Sequence, residues 1–352
     1  MGYISKKQHI PALLQDKILE LKNISYKEIL KDFINEYQPN SYENIYDEYQ
    51  LINKYLLRIS DLLSDKTLDS IIKKNLGAST ALIIMDEEIK ERFIHPFQNF
   101  LIGTTIIDHF YDKFKIWIEK GDNSINKIEL SWFLASIFHD IGRPLLAIMG
   151  VEDNETSERK MVFRDHQKYI DKLSSFFEFI RTGNNYIDWN TSIKLTNEDF
   201  SRVILNYYQS NDHGVMSSFN LLADLEKIYE EEAFNPFFMQ ALLVICLHNR
   251  DVYNRLLEEK LFPFNIEHFP LLCVLLYCDS THEWNRSVET SDVTELEGLE
   301  ISDSQVNLFV RYHDPKVSAK KGEEIECISR CISPQSEIVF WFRSNVQVSF
   351  TP

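Results

Sequence analysis

The sequence predicts a mainly α-helical protein that ends in a small α+β appendage. Three observations predict it. Apolar residues recur at helical spacing through most of the chain up to about residue 295. Period-two alternation rich in Val and Phe appears only after about residue 296. No internal repeat or low-complexity segment interrupts the pattern.

In order, the segment 1–77 reads as an N-terminal helical extension of two or three amphipathic helices. Its best-patterned stretch places Leu51, Ile52, Tyr55, Leu56, Ile59, Leu62 and Leu63 on one face. Nothing in it suggests chemistry, and His9 reads as a surface residue. Residues 78–119 read as two helices. Pro96 fits the first turn of the second, where its missing N–H costs nothing, so His95 is expected at a helix start. GDNSIN (121–126) is a turn, and the apolar run FLASIFHDIGRP (133–144) follows. A charged segment and a loop fill 150–196. Residues 197–209 are helical, and a loop at Ser210–Asn211 opens into the next helix near Asp212. Pro236 starts an apolar helix that reaches His248, and a last core helix ends its apolar run at Asp279. Beyond it, SQVNLFVRYHD and SEIVFWFRSNVQVSF read as strands of a short antiparallel sheet, with GEEIECISRCI as the helix between them. Segments 1–77, 78–295 and 296–352 are thus the expected divisions.

Composition narrows the function classes. The 352 residues are 44% hydrophobic, with 24 Phe and 16 Tyr, which is enough for a large core. A net charge of -17 argues against binding extended nucleic acid through its backbone charge. The five cysteines form no CxxC pair, and three lie in apolar helical stretches, so they read as reduced core thiols of a cytoplasmic protein. The first residues carry no apolar signal core, and no apolar run is long enough to span a membrane.

The chemistry-bearing residues sit at the ends of the apolar helices: His95, His139–Asp140, His213, His248 and Asp279. An imidazole and a carboxylate delivered at the end of a buried face are costly without a partner. A metal ion is an economical one, since it binds both in their deprotonated forms. Each histidine alone reads more readily as a hydrogen-bonded core residue, with Asp140 as a cap. The recurrence of the pattern favours metal. Four histidines and two carboxylates match the ligand count of a dinuclear site, in which one carboxylate bridges two ions. Imidazole with carboxylate suits Mn, Fe, Zn, Co or Ni.

Over about residues 80–290 the chain resembles the HD superfamily of metal-dependent phosphohydrolases. The pieces are IHPFQNFLIG, FHDIGRP, DHGVMSS, LLVICLHNRD and LLYCDSTHEWNR, in the family's order. The resemblance implies an HD-domain helical bundle over 78–295. It implies one ion held by His95, His139, Asp140 and Asp279, and a second held by Asp140, His213 and His248. It implies hydrolysis of a phosphomono- or diester, with a nucleotide as the natural substrate class, through a hydroxide bridging the two divalent ions. His109 rivals His95 as first ligand, because the gap from His95 to His139 is long. The GYP signature of the cyclic-di-GMP branch is absent, and Arg143 stands where many members have Lys.

Further roles follow as expectations. Arg143, three residues after Asp140, shares its face if the helix continues, and can clamp a phosphate or make an ordinary salt bridge. Asn249, Arg250, Glu283 and Arg286 line the pocket as substrate contacts. His166 and His282 are proton-donor candidates that read better as plain loop residues, and His268 and His313 read as structural or exposed. Two other readings stand beside the hydrolase: a di-iron oxygenase on the same ligand set, and a nucleotide-sensing module with a structural metal. The helical extension and the appendage offer surfaces for a homo-oligomer.

Overall fold

The computed structural model describes residues 10–38, 45–63, 68–74, 87–118, 127–142, 165–182, 197–281, 294–312 and 315–344. These are mainly helical, with one three-stranded sheet. None of the described helices is long and apolar enough to cross a membrane. The chain divides into two compact units. The first takes Met1–Lys113, Leu276–Ser329 and Pro334–Pro352, and the second Phe114–Leu275 and Arg330–Ser333.

The first unit opens with helices Ala12–Leu19 (α1), Lys27–Glu36 (α2), Ile45–Leu63 (α3), 68–74 (α4) and Glu87–His109 (α5), and Tyr111–Ile118 (α6) leaves it. The α3 stripe works as its spacing requires: Ile52, Tyr55, Leu56, Ile59 and Leu63 are buried. Leu62, assigned to that stripe by the sequence, is instead 45% exposed. Phe33 of α2 is the hub, meeting Tyr55 of α3 and Phe97 of α5 edge-on at 5.4 and 5.0 Å. Asp108, near the end of α5, is buried. Its carboxylate accepts the backbone N–H groups of Lys22, Asn23 and Ile24 at 3.1, 2.6 and 2.9 Å, pinning the α1–α2 turn to α5.

Pro96 does not open a helix. It lies inside α5, which runs unbroken from Glu87 to His109, so His95 sits mid-helix. A proline removes one ladder bond and crowds the preceding turn. Here the burial of Phe97, Phe100, Leu101, Ile102, Ile106 and Ile107 along one continuous helix outweighs that cost.

The C-terminal part of this unit is α+β, with a different sheet from the one expected. Thr294–Ser302 (β1) is a strand the sequence reading passed over. It pairs antiparallel with Gln305–Tyr312 (β2) across a two-residue turn. Its charged stretch TELEGLEIS hides the period, and a register shift between Leu296 and Gly298 breaks it further. A Cβ on Gly298 would stand 2.8 Å from the Phe309 ring. Val339–Ser344 (β3) pairs with β2 in parallel, so the sheet is mixed rather than antiparallel. The helix Pro315–Cys331 (α14) connects β2 to β3, and a helical crossover returns the chain in the same direction. Tyr277 donates its hydroxyl to the Phe340 carbonyl at 2.9 Å. That bond ties the end of the helix Pro270–Thr281 (α13), and with it Asp279, to the sheet.

The second unit holds Lys127–Phe138 (α7), His166–Arg181 (α8), Glu198–Gln209 (α9), His213–Tyr229 (α10), Pro236–Leu247 (α11), Arg250–Glu258 (α12) and the start of α13. Helices α7 and α11 are buried on nearly every side, the expected state of helices apolar all round. Their caps are legible: Asn197, Asp212, Asn235 and Asn249 each accept a backbone N–H of the helix they precede, and Pro236 follows Asn235 at the first position. Asn211 takes φ 58° where the loop before α10 turns. All five cysteines are buried thiols, and burial pushes Cys246 and Cys278 well up, away from nucleophilic use.

Candidate metal centre

In the second unit α7 stops at Phe138, and His139, Asp140 and Ile141 form a turn closed by Ile141 N–H to the Phe138 carbonyl at 3.3 Å. Helix α7 therefore ends before Asp140, and Arg143, whose shared face depends on the chain beyond, lies outside the described residues. Gly142 lies against the start of α10. Its N–H donates to Ser217 Oγ at 2.7 Å, and Ser217 donates onward to the His213 carbonyl at 2.7 Å. A Cβ on Gly142 would stand 2.4 Å from that carbonyl, so only glycine allows this approach. Gly214 serves the same end on the other side: a Cβ there would come within 3.0 Å of His248 Cε1.

Three imidazoles converge on Asp140. His213 Nε2 and His248 Nε2 stand 3.4 and 3.6 Å from Asp140 Oδ1, and 3.2 Å from each other. His139 Nε2 stands 3.9 Å from the other oxygen, Oδ2. His139 is fully buried and His248 nearly so. His139 donates Nδ1–H to the Ser136 carbonyl and His248 to the Ile245 carbonyl, each at 2.7 Å. Each bond leaves the Nε2 lone pair facing Asp140, which is the tautomer a metal needs.

The separations fit an ion. Ligand atoms about 2.0–2.2 Å from a tetrahedral ion stand about 3.3–3.6 Å from one another. The triangle of 3.2, 3.4 and 3.6 Å made by His213, His248 and Asp140 Oδ1 has that size. His139, Asp140 and His248 also present ligand atoms that all lie within 4.8 Å of one another. The buried His/Asp group can hold a metal ion.

Asn249 belongs to this cluster in a way its sequence position did not suggest. It caps α12, donates to Asp212 Oδ2, and its amide nitrogen stands 3.2 Å from His213 Nδ1. The caps of α10 and α12 are thereby joined, with His213 held beside the joint. Burial pushes the Asp212 carboxyl up, against the hydrogen bonds from Val215 N–H and Asn249 that favour its charged form.

In the first unit His95 Nε2 stands 2.9 Å from Asp279 Oδ1; His95 is buried and Asp279 half-buried. That is hydrogen-bond length, shorter than the tetrahedral separation above. The rival His109 lies exposed at the end of α5, edge-on to Phe110 at 4.8 Å, beside a groove of about 630 Å³ lined by Lys17, Lys22, Asp108 and others. Asn99, one turn after His95, touches both His95 and Asp279. The sequence reading missed it, although its i+4 spacing from His95 was visible.

Of the remaining candidates, Arg250 is the first residue of α12, and His268 is half-buried. His166, the first residue of α8, stacks on Tyr208 with the rings 4.8 Å apart. Arg143, Arg286, Glu283, His9, His282 and His313 lie outside the described residues. No protein-family model, curated protein or solved structure matches the chain.

Proposed function

We propose that this protein is a metal-dependent phosphohydrolase with an HD-type helical core. It cleaves a phosphomono- or diester, with a nucleotide as the substrate class, and uses two divalent transition-metal ions. The observation that supports the reading most is the His213–His248–Asp140 triangle, whose edges have the length of ligand separations on one ion. A hydrogen-bonded core histidine needs no second imidazole and no carboxylate at such distances. The order of the ligand pieces along the chain supports the two-ion form, with the His95–Asp279 pair as the further ligands.

The chain's own groups divide the work. Asp140 turns one oxygen toward His213 and His248 and the other toward His139, so its carboxylate would help to hold an ion among these imidazoles. The Ser136 and Ile245 carbonyls hold two imidazoles in the metal-binding tautomer. Ser217 and Gly142 lock the turn that carries Asp140 against the helix that carries His213. Bound ions supply Lewis acidity toward phosphoryl oxygens and a nucleophilic hydroxide at neutral pH.

The test is elemental analysis of protein purified without chelators and supplied with Mn, Fe, Zn, Co and Ni, comparing wild type with Asp140→Ala. Two ions per chain, lost on substitution, are expected. Nucleotide screens with and without oxygen follow. Phosphate release that needs no oxygen is expected, whereas oxygen-dependent turnover on iron would move the assignment to an oxygenase. Protein that takes up no metal overturns the proposal.

A further inference from the structure

We propose that Asn99 is a positioning residue of the His95–Asp279 pair, and that its carbonyl oxygen receives a hydrogen bond from a water carried by an ion bound there. The inference rests on reading that pair as metal ligands.

Asn99 is fully buried on α5, one helical turn beyond His95. Its amide nitrogen stands 3.3 Å from Asp279 Oδ1 and 3.3 Å from His95 Nε2. The carboxylate decides which way the amide points. Turned over, it would set its oxygen against Asp279 Oδ1, two acceptors with no proton between them. The nitrogen therefore faces Asp279, and the oxygen points away from it. That oxygen is buried with no hydrogen-bond partner among the described residues. Buried amide oxygens are seldom left so, and each one needs an account.

A purely structural asparagine, joining α5 to α13, would use the N–H toward Asp279 and gain nothing from an orphaned oxygen beside it. An apolar residue of the same size would serve the core better. An acceptor one helical turn from an imidazole ligand and in contact with a carboxylate ligand suits a different partner. A metal ion makes its bound water a stronger donor, and an uncharged acceptor takes that hydrogen bond without competing for the ion. The N–H meanwhile holds Asp279 Oδ1 toward His95, as outer partners of metal ligands do.

The probe is Co²⁺ alone, titrated into metal-free full-length protein and followed by its visible absorption and by equilibrium dialysis. Asn99→Leu keeps the volume and removes both polar atoms, and Asn99→Ser keeps a hydroxyl too short to reach. Both variants are expected to bind one ion about 10–100-fold more weakly than wild type, with the second ion unchanged. The cobalt spectrum of the weakened site is expected to shift, and the metal-free melting temperature to stay within a few degrees. If Asn99→Leu is not recovered folded, Asn99→Ser carries the same expectation. Wild-type affinity and spectrum in a folded variant overturn the role of Asn99 and leave the metal reading standing. A wild type that binds no Co²⁺ overturns both.

Discussion

His213 and His248 face each other Nε2 to Nε2 at 3.2 Å, over a single oxygen of Asp140. Because His248 already donates its Nδ1–H to the Ile245 carbonyl, its neutral ring turns a lone pair toward His213. A shared cation is the partner that satisfies both nitrogens and the carboxylate at once. Metal should therefore raise stability through this site. At an ion concentration one hundred times the dissociation constant, the expected gain is about 2.7 kcal/mol. It is read as a melting temperature that climbs with added Mn²⁺ or Zn²⁺ and falls with chelator. His248→Ala should remove most of that dependence. Identical melting curves with and without metal in the wild type would contradict the expectation.

Gly142→Ala should damage both stability and the site. The added methyl would stand 2.4 Å from the His213 carbonyl and 2.9 Å from Ser217 Oγ, and backbone cannot yield as a side-chain tip can. Such overpacking costs about 1–3 kcal/mol. Since the turn holding Asp140 and the helix holding His213 would be forced apart, metal affinity should fall with it. Urea denaturation and metal dialysis read the two effects. A variant with wild-type values in both would show that the contact is looser than the distances state.

Much of this was legible beforehand. The helical class followed from spacing, and the ends of apolar runs picked out His139, Asp140, His213, His248 and Asp279, because a polar residue ending a buried face must find a partner. Asn99 was missed although its i+4 spacing from His95 was visible, because its other partner, Asp279, lies far along the chain. The cap that Asn249 makes and its tie to Asp212 were not legible, because adjacency to His248 says nothing about the direction of a side chain. Pro96 misled because proline at a helix start is the common case, and only the tertiary burial of α5 reveals the exception. The strand β1 was missed because its glutamates and a bulge hide the alternation, and the parallel pairing of β3 depends on a crossover that composition does not encode.

Asp108 and His109 are neighbours with opposite expectations. Asp108 holds three consecutive backbone N–H groups at the α1–α2 turn, so Asp108→Ala leaves the buried Ile24 donor unmet and frees two part-buried ones, and should cost about 2 kcal/mol. Metal content per folded chain should not change. His109→Ala, at an exposed position, should change stability by less than about 0.5 kcal/mol. Loss of metal on replacing His109 would instead return it to the ligand set in place of His95.

The link between α8 and α10 sets the pH dependence expected of the second unit. Glu226 accepts from Lys168 Nζ at 2.6 Å and from the Tyr169 hydroxyl at 2.8 Å. Burial works to raise its carboxyl, but the two hydrogen bonds and the lysine charge outweigh it and hold Glu226 below the ordinary carboxylate range. Lys168 is raised in turn, chiefly by its hydrogen bond to Glu226. A depressed carboxylate contributes stability above its unfolded pKa of about 4.3 and loses it as pH falls through the folded value. A raised lysine contributes below its unfolded pKa of about 10.4 and loses it as pH climbs through the folded value. The link is therefore intact between those limits and fails first on the acid side. Urea midpoints measured from pH 6 down to pH 3 should fall more steeply in the wild type than in Glu226→Gln, and the two curves should converge at the acid end. Parallel curves would mean that the pair is screened by solvent and sets no pH limit.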